Sequence, residues 1–86
     1  MLKFYCRLYF PQAKRFVTYD DLDMTGDKIW TTLTHATREE AQLDAIYAYT
    51  QRLKPNFLNF GLSTPTVELI TFNSSMQEVG RTKLYC

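Results

Sequence analysis

Cysteine, glycine, histidine and net charge are all scarce in this 86-residue chain, and each shortage closes off a class of function. Two cysteines, Cys6 and Cys86, stand 80 positions apart with His35 as the only histidine, which is too little for a tetrahedral zinc site. Three glycines are too few for a phosphate-cradling loop or a dinucleotide fingerprint, and no G-x-S-x-G elbow is present. Ten basic residues against nine acidic ones leave a formal charge of +1, short of the basic excess that coats nucleic acid. No apolar run reaches the ~18 residues that span a bilayer. Lys3 and Arg7 break up the first residues, so the apolar core of a secretory signal, about 7–15 residues, is missing. The expectation is a cytoplasmic protein with reduced thiols. A Cys6–Cys86 bridge between the first and last strands is the alternative, which needs a geometry that sequence does not supply.

What is present is ordinary for one folded domain covering residues 1–86, with 45% apolar, 15% aromatic and 22% charged residues. Leu2, Phe4, Cys6, Leu8 and Phe10 alternate with Lys3, Tyr5, Arg7 and Tyr9, the period-2 pattern of a half-buried strand. Pro11 opens a turn over residues 11–14, and residues 15–19 resume an extended pattern. A four-residue loop sets Leu8 opposite Val17 and Cys6 opposite Tyr19 on one face, with Tyr9 opposite Phe16 and Arg7 opposite Thr18 on the other. Residues 28–34, with Ile29, Trp30, Thr31 and Thr32, predict a third strand.

Thr37 and Glu40 form a capping box that starts a helix running to about Leu53, with Tyr49, Leu53 and Ile46 on its inner side, flanked by Ala45 and Leu43. Lys54-Pro55 ends that helix. Residues 56–62 suggest a further helical turn, and residues 66–72 and 78–85 two strands around a turn at 73–77. The expected architecture is α+β: a single antiparallel or mixed sheet of four to five strands, one long helix on one face, and the order β-β-β-α-β-β.

Asp21-x-Asp23-x-Thr25-Gly26-Asp27 opens like a calcium-binding loop, but its twelfth position is Thr32 where a bidentate glutamate is needed. A solvated acidic turn is the better account, and no metal or cofactor is expected. His35 has no nucleophile near it in sequence, and the cap explains Glu39 and Glu40, so no catalytic role is assigned.

The informative surface is the strand face turned away from the helix. It should hold Lys3, Tyr5, Arg7, Tyr9 and Phe16, with Arg81, Lys83 and Tyr85 from the last strand. Tyrosine and arginine anchor interfaces because each joins a large contact area to a polar end, although cross-strand pairs of the same residues also stabilise a sheet. The profile resembles, at the level of class only, the small stoichiometric proteins of bacteriophages and mobile elements that block a host enzyme or defence complex. The resemblance implies a protein or ribonucleoprotein partner. Single-stranded RNA binding on the same face is the alternative, since bases stack on sheet-borne aromatics. Homodimer formation through an uncovered face or edge is a third reading.

Overall fold

A computed structural model describes residues 3–55 and 66–84 of the chain. It is an α+β fold with one four-stranded antiparallel sheet and one helix packed against it. In chain order the elements are β1 (Phe4–Phe10), β2 (Arg15–Phe16), a 3-10 turn (Asp20–Leu22), α1 (Arg38–Ala48) continuing into a π turn (Tyr49–Leu53), β3 (Val67–Asn73) and β4 (Glu78–Leu84). The order across the sheet is β2-β1-β3-β4, so β1 and β3 form the centre.

The β1–β2 register keeps the expected half of the hairpin, with Tyr9 paired to Phe16 and the Val17 N–H donating to the Leu8 carbonyl at 2.8 Å. The expected Arg7–Thr18 and Cys6–Tyr19 pairs do not form, since Thr18 bridges to Ile29 and Cys6 bonds to Thr32. β2 is only two residues long because the chain then leaves β1. Its place at that edge is taken by residues 29–35, overlapping the stretch 28–34 for which the sequence predicts a full strand. These residues form only isolated bridges, Thr18 with Ile29 and Phe4 with His35. The reason lies at Thr32. Its side-chain oxygen accepts the Cys6 N–H at 2.9 Å, while the Thr32 N–H donates to the Cys6 carbonyl at 3.0 Å. A hydroxyl standing in for a backbone carbonyl satisfies the donor but breaks the ladder. Two strands therefore precede the helix, not three.

Acidic side chains hold the turn beyond β2. Asp21 accepts both Arg15 guanidinium nitrogens at 2.8 and 3.1 Å, the Thr18 N–H at 2.8 Å and the Thr18 hydroxyl at 3.1 Å. Burial pushes the Asp21 carboxyl up, but the hydrogen bonds from Arg15 and Thr18 with the Arg15 charge more than offset it, and its pKa lies below the ordinary value. Asp20 accepts the Gly26 N–H at 3.0 Å, with Gly26 at φ 122°, a conformation that glycine adopts without strain. Asp20 and Asp21 thus hold the backbone in this segment.

The helix starts where the capping box places it. The Thr37 side chain accepts the Glu40 N–H at 3.2 Å, with Glu39 and Glu40 in the positive first turn. Its inner stripe differs from the expected one. Ala41, Ala45, Ala48, Tyr49 and Leu53 are buried, whereas Leu43 and Ile46 face solvent at 66% and 39% exposure. The inner face of the sheet already carries Cys6, Leu8, Phe10, Val67 and Leu69, so small alanines are what let the helix approach. The wider π turn rotates Leu53 back above the sheet. Lys54 keeps helical dihedrals (φ −60°, ψ −46°), so the helical path reaches the residue before Pro55. The further helical turn expected over residues 56–62 lies outside the described residues.

Cys6 is a fully buried free thiol whose Sγ lies 3.4 Å from the Thr71 hydroxyl. Desolvation raises its pKa, with the Thr71 contact opposing and the Asp44 charge adding a further rise. Cys86 lies outside the described residues. No helix among the described residues is long and apolar enough to cross a membrane.

Candidate binding face

Antiparallel pairing sets directly opposed residues on the same face, so the register defines the outer surface. Tyr5 lies opposite Phe72, Arg7 opposite Ile70, and Tyr9 opposite both Phe16 and Glu68. On the far side of β3, Ile70 lies opposite Arg81 and Glu68 opposite Lys83. The helix packs on the other side of β1 and β3. Four aromatic rings from three strands thus share this face with Arg7 and Arg81.

The rings pair across strands. Tyr5 stacks on Phe72 with centroids 5.3 Å apart, and Tyr9 meets Phe16 edge-on at 5.1 Å. The guanidinium carbon of Arg7 sits between the pairs, 5.5 Å from the Tyr5 ring, 5.4 Å from Phe72 and 5.9 Å from Phe16. Beside it Ile70, on the face away from the helix, is only 1% exposed. Arg7 and Arg81 flank it in register, and long arginine stems shield apolar neighbours in this way.

The two arginines differ in their partners. Arg81 donates to Glu68 and Glu78, each at 2.9 Å, and also lies over Tyr9 at 5.9 Å. The hydrogen bond to Glu78, with the charges of Glu78 and Glu68, holds its pKa above the ordinary arginine value. Arg7 has no carboxylate and no hydrogen-bond acceptor among the described residues, and its Nε is shut off from solvent without a partner. Arg7 is therefore a cation held among rings with no counter-charge among the described residues.

Of the residues expected on this face, Tyr5, Arg7, Tyr9, Phe16 and Arg81 are brought together. Lys83 lies at the β4 margin opposite Glu68, and Lys3 is exposed just before β1. Tyr85 lies outside the described residues. The sequence reading omitted Phe72, Ile70 and Glu68. Parity along β3 carries their signal, since Val67, Leu69 and Thr71 alternate with them and a glutamate inside a central strand marks the side away from the core.

His35 is a strand-end residue. Its backbone bridges to Phe4, its Nε2 lies 3.0 Å from Asp44 and its Nδ1 lies 3.7 Å from Glu40, so it fastens the edge of β1 to the helix.

The fold defines a two-layer α+β scaffold, with one sheet face under a helix and the other presenting rings and arginine. Comparison with known proteins found no match to a family model, to a curated protein or to a solved structure.

Proposed function

We propose that this chain is a non-catalytic protein-binding module whose outer sheet face, centred on Arg7, meets an acidic site on its partner. The carrying observation is the Arg7 guanidinium, held among three rings with no carboxylate among the described residues to neutralise it. An arginine braced in this way has little side-chain entropy left to lose when a carboxylate arrives, and desolvated arginines and tyrosines are the usual anchors of interfaces. The biological role proposed is stoichiometric occlusion of a larger enzyme or defence complex in the cytoplasm, of the kind bacteriophage-encoded inhibitors perform. A small scaffold with one contact face meets the physical needs of that role. A protein partner is preferred over RNA because a formal charge of +1 falls short of the basic excess that nucleic-acid binding uses.

The test is affinity capture from a lysate of the source organism, with and without nuclease, by the wild-type chain and by Tyr5→Ala/Tyr9→Ala. The expected result is a nuclease-resistant protein partner that the variant fails to hold. Removing two ring pairs costs stability, about 0.5–1.5 kcal/mol each, so capture is run well below the variant's melting temperature. Capture that depends on RNA, or that survives in the double variant, overturns the proposal.

A further inference from the structure

The two edges of the sheet differ in how they are guarded. β4 carries Glu78, Arg81 and Lys83 along its edge, and its register shifts at Thr71/Phe72, features that discourage a further strand. Residues 29–34, at the other edge, hold no charge and no proline, and their β-branched and aromatic side chains favour pairing. Their inward bonds are made: the Trp30 N–H donates to the Val17 carbonyl at 2.9 Å, and the Thr32 N–H to that of Cys6 at 3.0 Å. Extended backbone alternates, so the N–H groups of Thr31 and Leu33 turn away from β1. Neither N–H makes a hydrogen bond among the described residues. Leu33 is also 77% exposed and Ile29 44%.

Between this edge and the helix runs an open groove of about 460 Å³, a size at which pockets hold ligands. Trp30, Thr32 and Ala48, all nearly buried, form its floor, and the exposed Leu33 and Tyr47 stand at its rim. Asp44 and Arg52 supply its charges. His35 Nε2 engages Asp44 at 3.0 Å, whereas Arg52 makes no ion pair among the described residues. Eight residues of helix separate the two, about 12 Å, which is the length of about four extended residues.

We infer that this groove binds an extended peptide segment of another protein, which adds a strand at residues 29–34 and sets an acidic side chain on Arg52. The added strand accepts the free N–H groups of Thr31 and Leu33, which supplies affinity without regard to sequence. Its side chains alternate, so every second one enters the groove. One is apolar and lies over Trp30 and Ala48; the next, two residues away, is the carboxylate that takes the Arg52 guanidinium. The groove is on the helix side of the sheet, so this site is independent of the outer face that Arg7 centres.

The experiment is selection from a random octapeptide display library on the immobilised full chain, followed by solution binding of synthetic copies. The selected peptides should carry an acidic residue two positions from an apolar one. They should bind wild type and Arg7→Met alike, and Arg52→Glu at least about tenfold more weakly, with circular dichroism confirming that each variant is folded. Methylating the backbone nitrogens of alternate peptide residues should abolish binding in one alternation and spare it in the other, which side-chain packing alone does not produce. Amide exchange at Thr31 and Leu33 should slow when peptide is added. A library that yields no binder overturns the inference, and so do binders that Arg7→Met removes and Arg52→Glu spares. Tolerance of both methylated alternations overturns it as well. So does slow exchange at Thr31 and Leu33 in a free chain whose mass is twice 10.1 kDa, which would make the occupant a second copy.

Discussion

Replacing Arg7 by methionine separates a residue kept for folding from one kept for binding. In the folded chain the Arg7 guanidinium contributes cation–π attraction to Tyr5, Phe72 and Phe16, worth about 0.5–1 kcal/mol for the partly exposed cluster. Against this stands the buried Nε without an acceptor, which costs about 1–3 kcal/mol. Methionine keeps an unbranched apolar stem beside Ile70, removes the stranded donor and brings a sulfur that packs well on rings, about 0.3–1.5 kcal/mol. The sum leaves Arg7→Met at least as stable as the wild type, with a gain of about 1 kcal/mol the central expectation. For a domain of this size, 1 kcal/mol moves the melting temperature by about 4–8 °C. Arg7→Ala, which also uncovers Ile70, should instead fall below the wild type. Urea unfolding followed by tryptophan fluorescence, with Trp30 as the single reporter, gives both values. A loss above about 1.5 kcal/mol in Arg7→Met would show that the arginine is there to hold the sheet together, and the reasoning would fail.

Three further outcomes follow from particular contacts. Thr32→Val keeps the side-chain shape but strands the buried Cys6 N–H, so it should cost about 1–3 kcal/mol, more than Thr32→Ser, which keeps the hydroxyl; a valine variant as stable as the serine variant in chemical denaturation would refute this. The depressed Asp21 pKa means that its stabilisation is fully present above the unfolded carboxylate pKa and disappears as pH falls through the lower, folded value. Asp21→Asn should therefore be less stable at neutral pH and lose less on acidification, a difference visible in melting temperatures measured from pH 7 down to about pH 2. The Cys6 thiol, buried and pushed up in pKa, should resist an aromatic disulfide reagent in the folded Cys86→Ser variant and react once the chain is unfolded.

The strand alternation of β1 was legible because one face is core and the other is not, and a one-residue slip would exchange them. The Thr37 cap was legible because it depends on neighbours in sequence. Residues 28–34 misled because β-branched and aromatic content reports a fit to a sheet surface, not the backbone ladder that Thr32 interrupts. The helix misled for a different reason. Tyr49 and Leu53 face inward as assigned, but over the stretch above Leu8, Phe10 and Leu69 the inner positions are held by Ala41, Ala45 and Ala48. Leu43 and Ile46, assigned to the inner side or its flank, turn outward. At the binding face, Tyr5, Arg7, Tyr9 and Phe16 could be read from one hairpin. Phe72 and Glu68 depended on the pairing of β1 with β3, whose partners Tyr5 and Phe72 stand 67 residues apart and Tyr9 and Glu68 59 apart, which no local pattern specifies. The contrast between Arg7 and Arg81 was likewise hidden, because it turns on which carboxylates the sheet brings within reach.

Capture of the native partner by the wild-type chain and by Arg7→Met, compared at equal folded concentration, tests the central claim most directly. The proposed function predicts that the methionine variant, no less stable than the wild type, loses the partner. A variant that retains the same protein in the same amount would contradict the assignment of Arg7, and with it the outer sheet face, as the site of function.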